Sequence, residues 1–384
     1  MAARTNAYAE DETLSSYSET NTVAPGTTKL TLTHTPGDSE RWWYFANFVV
    51  SRNNVTTDII TRFYQETAVV EFGIVNTEPQ DATDTLNIMW GKEYTYGASP
   101  GSQNLKLQSW GETQPQTHTT RYAHIWGVLA ATEDKHAASD GTTSTQSSTF
   151  TTKVTLTETL TGNYLFLCFA EMGGTNGTPM TIRADHGGTK YGSLLYSTPD
   201  NATWRTWSTA FVKEGLSGSQ TVTIEFNNTT PLAFNVSLRN ARIFALNLDN
   251  FANYDFVENR THDNNTTTTP EDQSSLTFSP LATRDHIAFA ASIGDQQTAG
   301  LNAFQEFERD GTAISQQEEE PNIAGDMSPM FAFRRESLSG SPVFKTQKWT
   351  ESGGDAGMKE SMIIVLDLEG PAAASTWVSQ IIAY

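Results

Sequence analysis

The sequence predicts an all-β protein: three tandem antiparallel β-sandwich domains of jelly-roll type. Three observations predict it. The composition is rich in Thr and poor in charge, a pattern repeats about every 120 residues, and the middle repeat divides into seven or eight short strands parted by turn signals.

Charged residues make up 18% of the 384-residue chain and aromatics 11%. Polarity comes instead from Thr, Ser, Asn, Gln and Gly, and β-branched and aromatic side chains suit a pleated sheet. The 37% of hydrophobic residues is enough for folded cores, though thin ones. With 24 basic and 44 acidic residues the formal charge is −20, which argues against nucleic acid or an anionic membrane as partner, because phosphate binding needs clustered Lys and Arg. The N-terminal segment "MAARTNAYAEDETLSSYSETNTVAPG" has no apolar stretch of signal-peptide kind, and no window approaches the 18 apolar residues of a membrane helix. The lone cysteine, Cys168, lies inside the apolar run "YLFLCFAEM" and reads as a small core residue.

The repeat is written in the opening strands. "TKLTLTHT" begins at Thr28 and "TKVTLTET" at Thr152, and each precedes an aromatic or apolar strand, "RWWYFANFVV" from Arg41 and "NYLFLCFAEM" from Asn163. A third copy reads "SSLTFSPLATRDHIAFAASIG", so that Trp42, Tyr164 and His286 stand 122 residues apart in each step. Closing strands follow in phase: "RYAHIWGVLA" from Arg121, "NARIFALNLDNF" from Asn240 and "ESMIIVLDLEG" from Glu360. Copies one and three also share "LKLQSWGE" (105–112) and "FKTQKWTE" (344–351).

A period this long exceeds the 20–50 residues of a solenoid or propeller unit and matches a complete sandwich with its own core. The divisions expected are an N-terminal arm (1–20) and modules at 21–145, 146–268 and 269–384. The joints, 132–148 and 259–275, are polar and lack apolar periodicity. Within module two, "TVTIEF" alternates cleanly, with Val222, Ile224 and Phe226 on one face.

The stretch "WRTWSTAFVKEGLSGSQTVTIEFNN" (204–228) followed by "RNARIFALNL" (239–248) resembles the galactose-binding-like jelly roll of carbohydrate-binding modules and phage virion proteins. The Ala-Arg-Ile triplet is absent from modules one and three. As a whole, with its polar arm, tandem sandwiches and acidic balance, the chain resembles structural proteins of tailed bacteriophages, namely capsid decoration or tail-attached proteins. That resemblance implies a virion location, a homo-oligomer such as a trimer, and contacts with major capsid or tail proteins.

No catalytic constellation is legible. "GASPG" (97–101) fits G-x-S-x-G, but Pro100 follows the serine and has no N–H for an oxyanion hole, so it reads as a turn. The seven histidines form no H-x-x-x-H pair or Cys/His set, so no metal ligands are assigned. No cofactor is expected, although a calcium ion held by backbone carbonyls would leave no trace in a sequence. The acidic runs "AEDET", "TEDK", "PEDQ" and "QQEEEP" lie in joints and loops and read as solvated surface. Sequons at Asn54, Asn176, Asn201, Asn235 and Asn259 follow from the Asn- and Thr-rich composition. The alternative to a structural role is a cell-surface glycan platform on module two, made of Tyr191 and Trp204 with Arg183, Asp185 and His186, since aromatic faces stack on sugars and polar neighbours read hydroxyls.

Overall fold

The structure is a computed structural model. It describes residues 4–13, 15–19, 27–52, 58–67, 69–77, 84–111, 116–175, 178–197, 203–230, 234–281, 284–319 and 325–368. Sequon residues Asn54, Asn176 and Asn201 lie outside these. Among the described residues no helix is long and apolar enough to cross a membrane.

Among the described residues, strands come in three sets of nine. The first set is β1 (Asn6–Asp11), β2 (Ser15–Glu19), β3 (Thr27–His34), β4 (Arg41–Arg52), β5 (Ile59–Gln65), β6 (Val70–Thr77), β7 (Thr85–Thr95), β8 (Gln103–Gly111) and β9 (Gln116–Leu129). The second is β10 (Lys135–Ser139), β11 (Thr143–Thr145), β12 (Thr151–Thr159), β13 (Gly162–Gly174), β14 (Pro179–His186), β15 (Thr189–Ser197), β16 (Trp204–Leu216), β17 (Ser219–Asn228) and β18 (Val236–Asn247). The third is β19 (Tyr254–Asn259), β20 (Asp263–Asn265), β21 (Glu271–Thr277), β22 (Arg284–Gln296), β23 (Ala303–Arg309), β24 (Thr312–Glu319), β25 (Met327–Leu338), β26 (Val343–Thr350) and β27 (Ala356–Asp367).

Each set folds the same way. In module one the inner sheet runs β1-β9-β4-β7, with β2 also on β9, and the outer sheet runs β3-β8-β5-β6. Module two repeats this as β10-β18-β13-β16 over β12-β17-β14-β15, with β11 on β18. Module three repeats it as β19-β27-β22-β25 over β21-β26-β23-β24, with β20 on β27. One bridge, Glu318 to Thr85, joins the outer sheet of module three to the inner sheet of module one.

The segment expected as an N-terminal arm contributes to this frame: β1 and β2 pair with β9 along its length. The supposed joints likewise carry β10, β11 and β20, edge strands whose polar composition reflects an exposed face. We propose module limits of 6–129, 135–247 and 254–367 in place of 21–145, 146–268 and 269–384.

Inner strands are buried on both faces, which is why β4, β13 and β22 read as unbroken apolar runs. Even positions of β4 (Trp42, Tyr44, Ala46, Phe48, Val50) face the module's own outer sheet, against Leu32, Phe63, Phe72 and Leu107. Odd positions Trp43 and Phe45 enter a different core. Module two splits in the same way: Tyr164, Phe166 and Cys168 point into their own sandwich, while Leu165, Leu167 and Phe169 point away from it. Module three sends Ala288 and Ala290 one way and Ile287, Phe289 and Ala291 the other.

The odd-numbered set from all three modules is a single apolar cluster. Its aromatic rings close a circuit: Phe45–Phe169 (5.8 Å), Phe169–Phe331 (5.2 Å), Phe331–Phe289 (6.1 Å), Phe289–Trp126 (5.2 Å) and Trp126–Phe45 (5.5 Å). Contacts between modules are cyclic as well. β6 meets β16, β15 meets β25 and β24 meets β7, while β7, β16 and β25 touch one another pairwise. The chain is therefore a pseudo-threefold ring of sandwiches closed on a common core. Gly91 marks the tightest approach there: a Cβ on it would meet the rings of Phe244 and Phe169 at 2.6 and 2.7 Å.

Candidate functional site

The ring creates three equivalent seams, and buried charged side chains such as Glu171, Arg205 and Glu319 lie in them. Their residues are set by register. Ser51, Gly173 and Asp295 stand 122 residues apart on β4, β13 and β22, and their partners on β7, β16 and β25 are Thr85, Trp204 and Met327. Between modules two and one, Trp204 fills the seam, packed against the core of module one and covered by the Arg239 guanidinium at 4.0 Å. Arg239 also donates to Glu171 (2.6 Å) and to the Ile74 carbonyl of module one (2.8 Å). Burial pushes the Glu171 carboxyl up, and Arg239 opposes the rise. Between modules three and two, Met327 fills the seam and its Sδ accepts from the Leu195 N–H.

Between modules one and three, Thr85 leaves the equivalent space open. A cavity of about 300 Å³ results, lined by Val49, Ser51, Thr85, Thr119, Arg121, Tyr122, Gln316 and Glu318. It lies beside a β-bulge on β9 where Tyr122 adopts φ 52°, repeated on β18 by Asn240 at φ 49°. Bulges of this kind re-aim neighbouring side chains, and here Arg121 stacks on the Tyr122 ring at 4.3 Å.

A second set of equivalent positions lies nearer the rim of the inner sheets: His124, Arg242 and Met362 on the closing strands, which pair with Asn47, Phe169 and Ala291 at the 122-residue spacing. Arg242 is buried and paired with Asp140, whose carboxylate also lies 3.8 Å from Lys92 of module one. Glu360 accepts from the Gly192 N–H of module two at 2.6 Å. His124 sits opposite Glu10 in the β1–β9 register, with its Nδ1 on the Phe333 carbonyl of module three. Burial holds the His124 imidazole down to about 3, so it is neutral.

The residues proposed as a glycan platform do not share one open face. Arg183 and Asp185 point outward, paired with Glu225 (2.6 Å) and with Lys190. Strand alternation sends His186 and Tyr191 inward. His186 meets Gln220 at 3.0 Å and stacks near Phe166. Tyr191 is fully buried between the Phe211 ring, 3.8 Å away, and Arg260 of module three. Trp204 is the seam residue described above, and Trp207, three residues on, fills the core of module two. The sequence could not show that a neighbouring module covers Tyr191, because Arg260 is 69 residues away.

An aromatic pair that sequence reasoning did not assign stands on module three. Phe304 and Trp349 are register partners on the outward face of the outer sheet, half-buried, with rings 5.1 Å apart and 1° from parallel. The shared Lys-Gln-Trp signature explains its setting: positions i, i+2 and i+4 lie on one strand face. In module one that row is Lys106 (on Glu66, 2.5 Å), Gln108 and a Trp110 overlaid by Arg62. In module three it is Lys345 (on Asp272, 2.9 Å), Gln347 and Trp349. The "GASPG" segment is a surface turn, with Ser99 and Gly101 at positive φ and the Ser99 N–H donating to Asp38.

No protein-family model and no curated protein matches the chain. Among solved structures it is similar to the insecticidal delta-endotoxin Cry8Ea1 of Bacillus thuringiensis, with 9% identity, TM-score 0.24, and 52% of this chain against 43% of that one. The chain thus spans less than half the endotoxin's length. It is also similar to a triple jelly-roll protein of an archaeal virus turret assembly, with 10% identity, TM-score 0.21, and 95% of this chain against 91% of that one. A tandem of carbohydrate-binding modules (CBM22) from Paenibacillus barcinonensis Xyn10C shows 10% identity and TM-score 0.19, over 62% of this chain and 93% of that one. At such scores neither the arrangement of modules nor a function carries over from these proteins.

Proposed function

We propose that the chain is a non-enzymatic structural protein of a bacteriophage virion, decorating the head or carried as a head- or tail-attached appendage. The observation that supports this is the closed ring of three sandwiches on one apolar core. Single-sandwich proteins reach threefold symmetry by assembling three copies, whereas this chain supplies the threefold unit covalently. Its partners are then shell or tail proteins met by the outer sheets and rim, and a homotrimer is not required to complete the ring. Light scattering tests this: the isolated protein should weigh 42.2 kDa and bind candidate phage shells saturably. A chain that ignores every shell and is missing from purified virions by mass spectrometry overturns it.

The second reading is a glycan-binding adhesin. What favours it is the parallel Phe304–Trp349 pair, the kind of half-exposed aromatic surface on which sugar C–H faces stack. Glycan-array binding that disappears in Trp349→Ala would support it, and an array blank for the wild type would sink it.

A further inference from the structure

We propose that the rim of the module one–module three seam binds a divalent transition-metal ion, of which zinc is the representative, through Glu10, Glu12 and His124.

One carboxylate oxygen from each glutamate and a ring nitrogen of His124 lie within 4.8 Å of one another. The strand register builds the group: Glu10 faces His124 across β1–β9, and Glu12 is two residues on, toward the same side. His124 is fully buried. Its Nδ1 faces the Phe333 carbonyl, which only accepts, so Nδ1 carries the proton and Nε2 the lone pair. That Nε2 has no hydrogen-bond partner among the described residues, and it points toward Glu12 Oε1 at 3.8 Å. A buried acceptor left without a donor is costly. A carbonyl-anchored imidazole with a free Nε2 is also the usual second-shell arrangement of a metal-bound histidine.

The other two seams show what belongs at this position. In the second, the equivalent of His124 is Arg242, whose guanidinium neutralises Asp140 together with Lys92. In the third, the equivalent of His124 is the apolar Met362, and the nearby Glu360 accepts from the Gly192 N–H. Neither of these two positions presents a lone pair to an acidic cluster. The first has an imidazole lone pair where Arg242 stands and places Glu10, Glu12 and Glu336 around Arg334, with Glu336 also held by Arg309. Arg334 does not block the site, because its Nε is 3.1 Å from Glu336 as well as from Glu12 and keeps the former when Glu12 turns to a metal. Ligand atoms around tetrahedral zinc stand about 3.4 Å apart, from bonds of about 2.1 Å, so closure asks the two glutamates to move by roughly an ångström. One nitrogen and two carboxylate oxygens select a transition metal over calcium, which takes six or more oxygens.

The test is titration calorimetry of the full chain, stripped with EDTA, against zinc chloride and then calcium chloride. One zinc per chain is expected, with a thermal midpoint raised by a few degrees, and no response to calcium. Glu12→Gln and Glu10→Gln, at partly exposed positions, should fold normally in EDTA and weaken zinc binding about tenfold or more. Cobalt(II) should give a visible absorption band in the wild type that His124→Gln lacks. No saturable zinc binding, equal binding of calcium, or binding undiminished in Glu10→Gln and Glu12→Gln would each overturn the assignment.

Discussion

Phe289→Ala is expected to destabilise all three modules together, although Phe289 belongs to module three alone. Its ring touches Trp126 of module one (5.2 Å) as well as Phe331 and Phe333 of its own module (6.1 and 5.7 Å). Truncating a buried phenylalanine costs about 3–5 kcal/mol, from lost transfer energy plus the cavity left behind. What this does to the melting curve depends on the size of the cooperative unit. Unfolding entropy is roughly 2.1 cal/mol/K per residue, so a whole-chain transition carries about 0.8 kcal/mol/K and a single module of about 120 residues carries about 0.25. A 4 kcal/mol loss then lowers a global midpoint by about 5 °C, or the midpoint of one autonomous module by about 16 °C. Tryptophan emission tells the two apart, because Trp42, Trp43, Trp90, Trp110 and Trp126 all report on module one. The expected result is one transition, shifted by about 5 °C in emission and calorimetry alike. A large shift in one part of the calorimetric trace, with module one emission unmoved, would refute the shared-core account.

Three further outcomes are expected. Gly91→Val should cost about 1–3 kcal/mol by driving a side chain into Phe244 and Phe169, whereas Gly97→Ala, with open space around it, should be neutral in the same denaturant titration. Glu319→Gln should cost about 1–3 kcal/mol, because Arg205 of module two, buried against Glu319 of module three, loses one charged partner; the double variant Arg205→Met, Glu319→Met should recover most of that loss. Burial, reinforced by Glu308 and opposed by Arg121, raises the Glu306 carboxyl from 4.5 to about 7. The folded state thus holds a proton that the unfolded chain has released, and stability falls as pH rises from about 4.5 to 7. Glu306→Gln should flatten that slope and raise the midpoint at pH 8, and an unchanged slope would refute the assignment.

The fold was legible where one module decides it. Turn signals, the alternation of "TVTIEF" and the 122-residue phase of Trp42, Tyr164 and His286 all reflect a sandwich repeated three times. The ring was not legible, because a strand buried on both faces shows no periodicity: Trp42 and Trp43 look alike in sequence, yet one fills its own sandwich and the other the central core. Edge strands were missed for the opposite reason. "NAYAED" and "KHAAS" have one face in water, so they read as arm and linker until their pairing with β9 and β18 shows otherwise. Glu10 and His124 are 114 residues apart and no spacing motif links them; only the register does.

Covalent linkage also explains why the three seams differ. In a ring of three identical chains, any substitution in one seam appears in all three, so a position such as His124 must suit every copy at once. Joined in one polypeptide, each seam is free to change alone. Trp204, Met327 and Thr85 are three answers at one position, two filled and one open. Arg242, Met362 and His124 are three answers at another, of which only the last presents a lone pair to a cluster of acids. The central core shows the opposite restraint: Trp43, Leu165 and Ile287 stay apolar at the 122-residue spacing, as do Phe45, Leu167 and Phe289, because all belong to the one core that the three modules share. Divergence at the rim combined with restraint at the axis is the pattern expected of a protein whose ring is fixed and whose outer contacts have specialised.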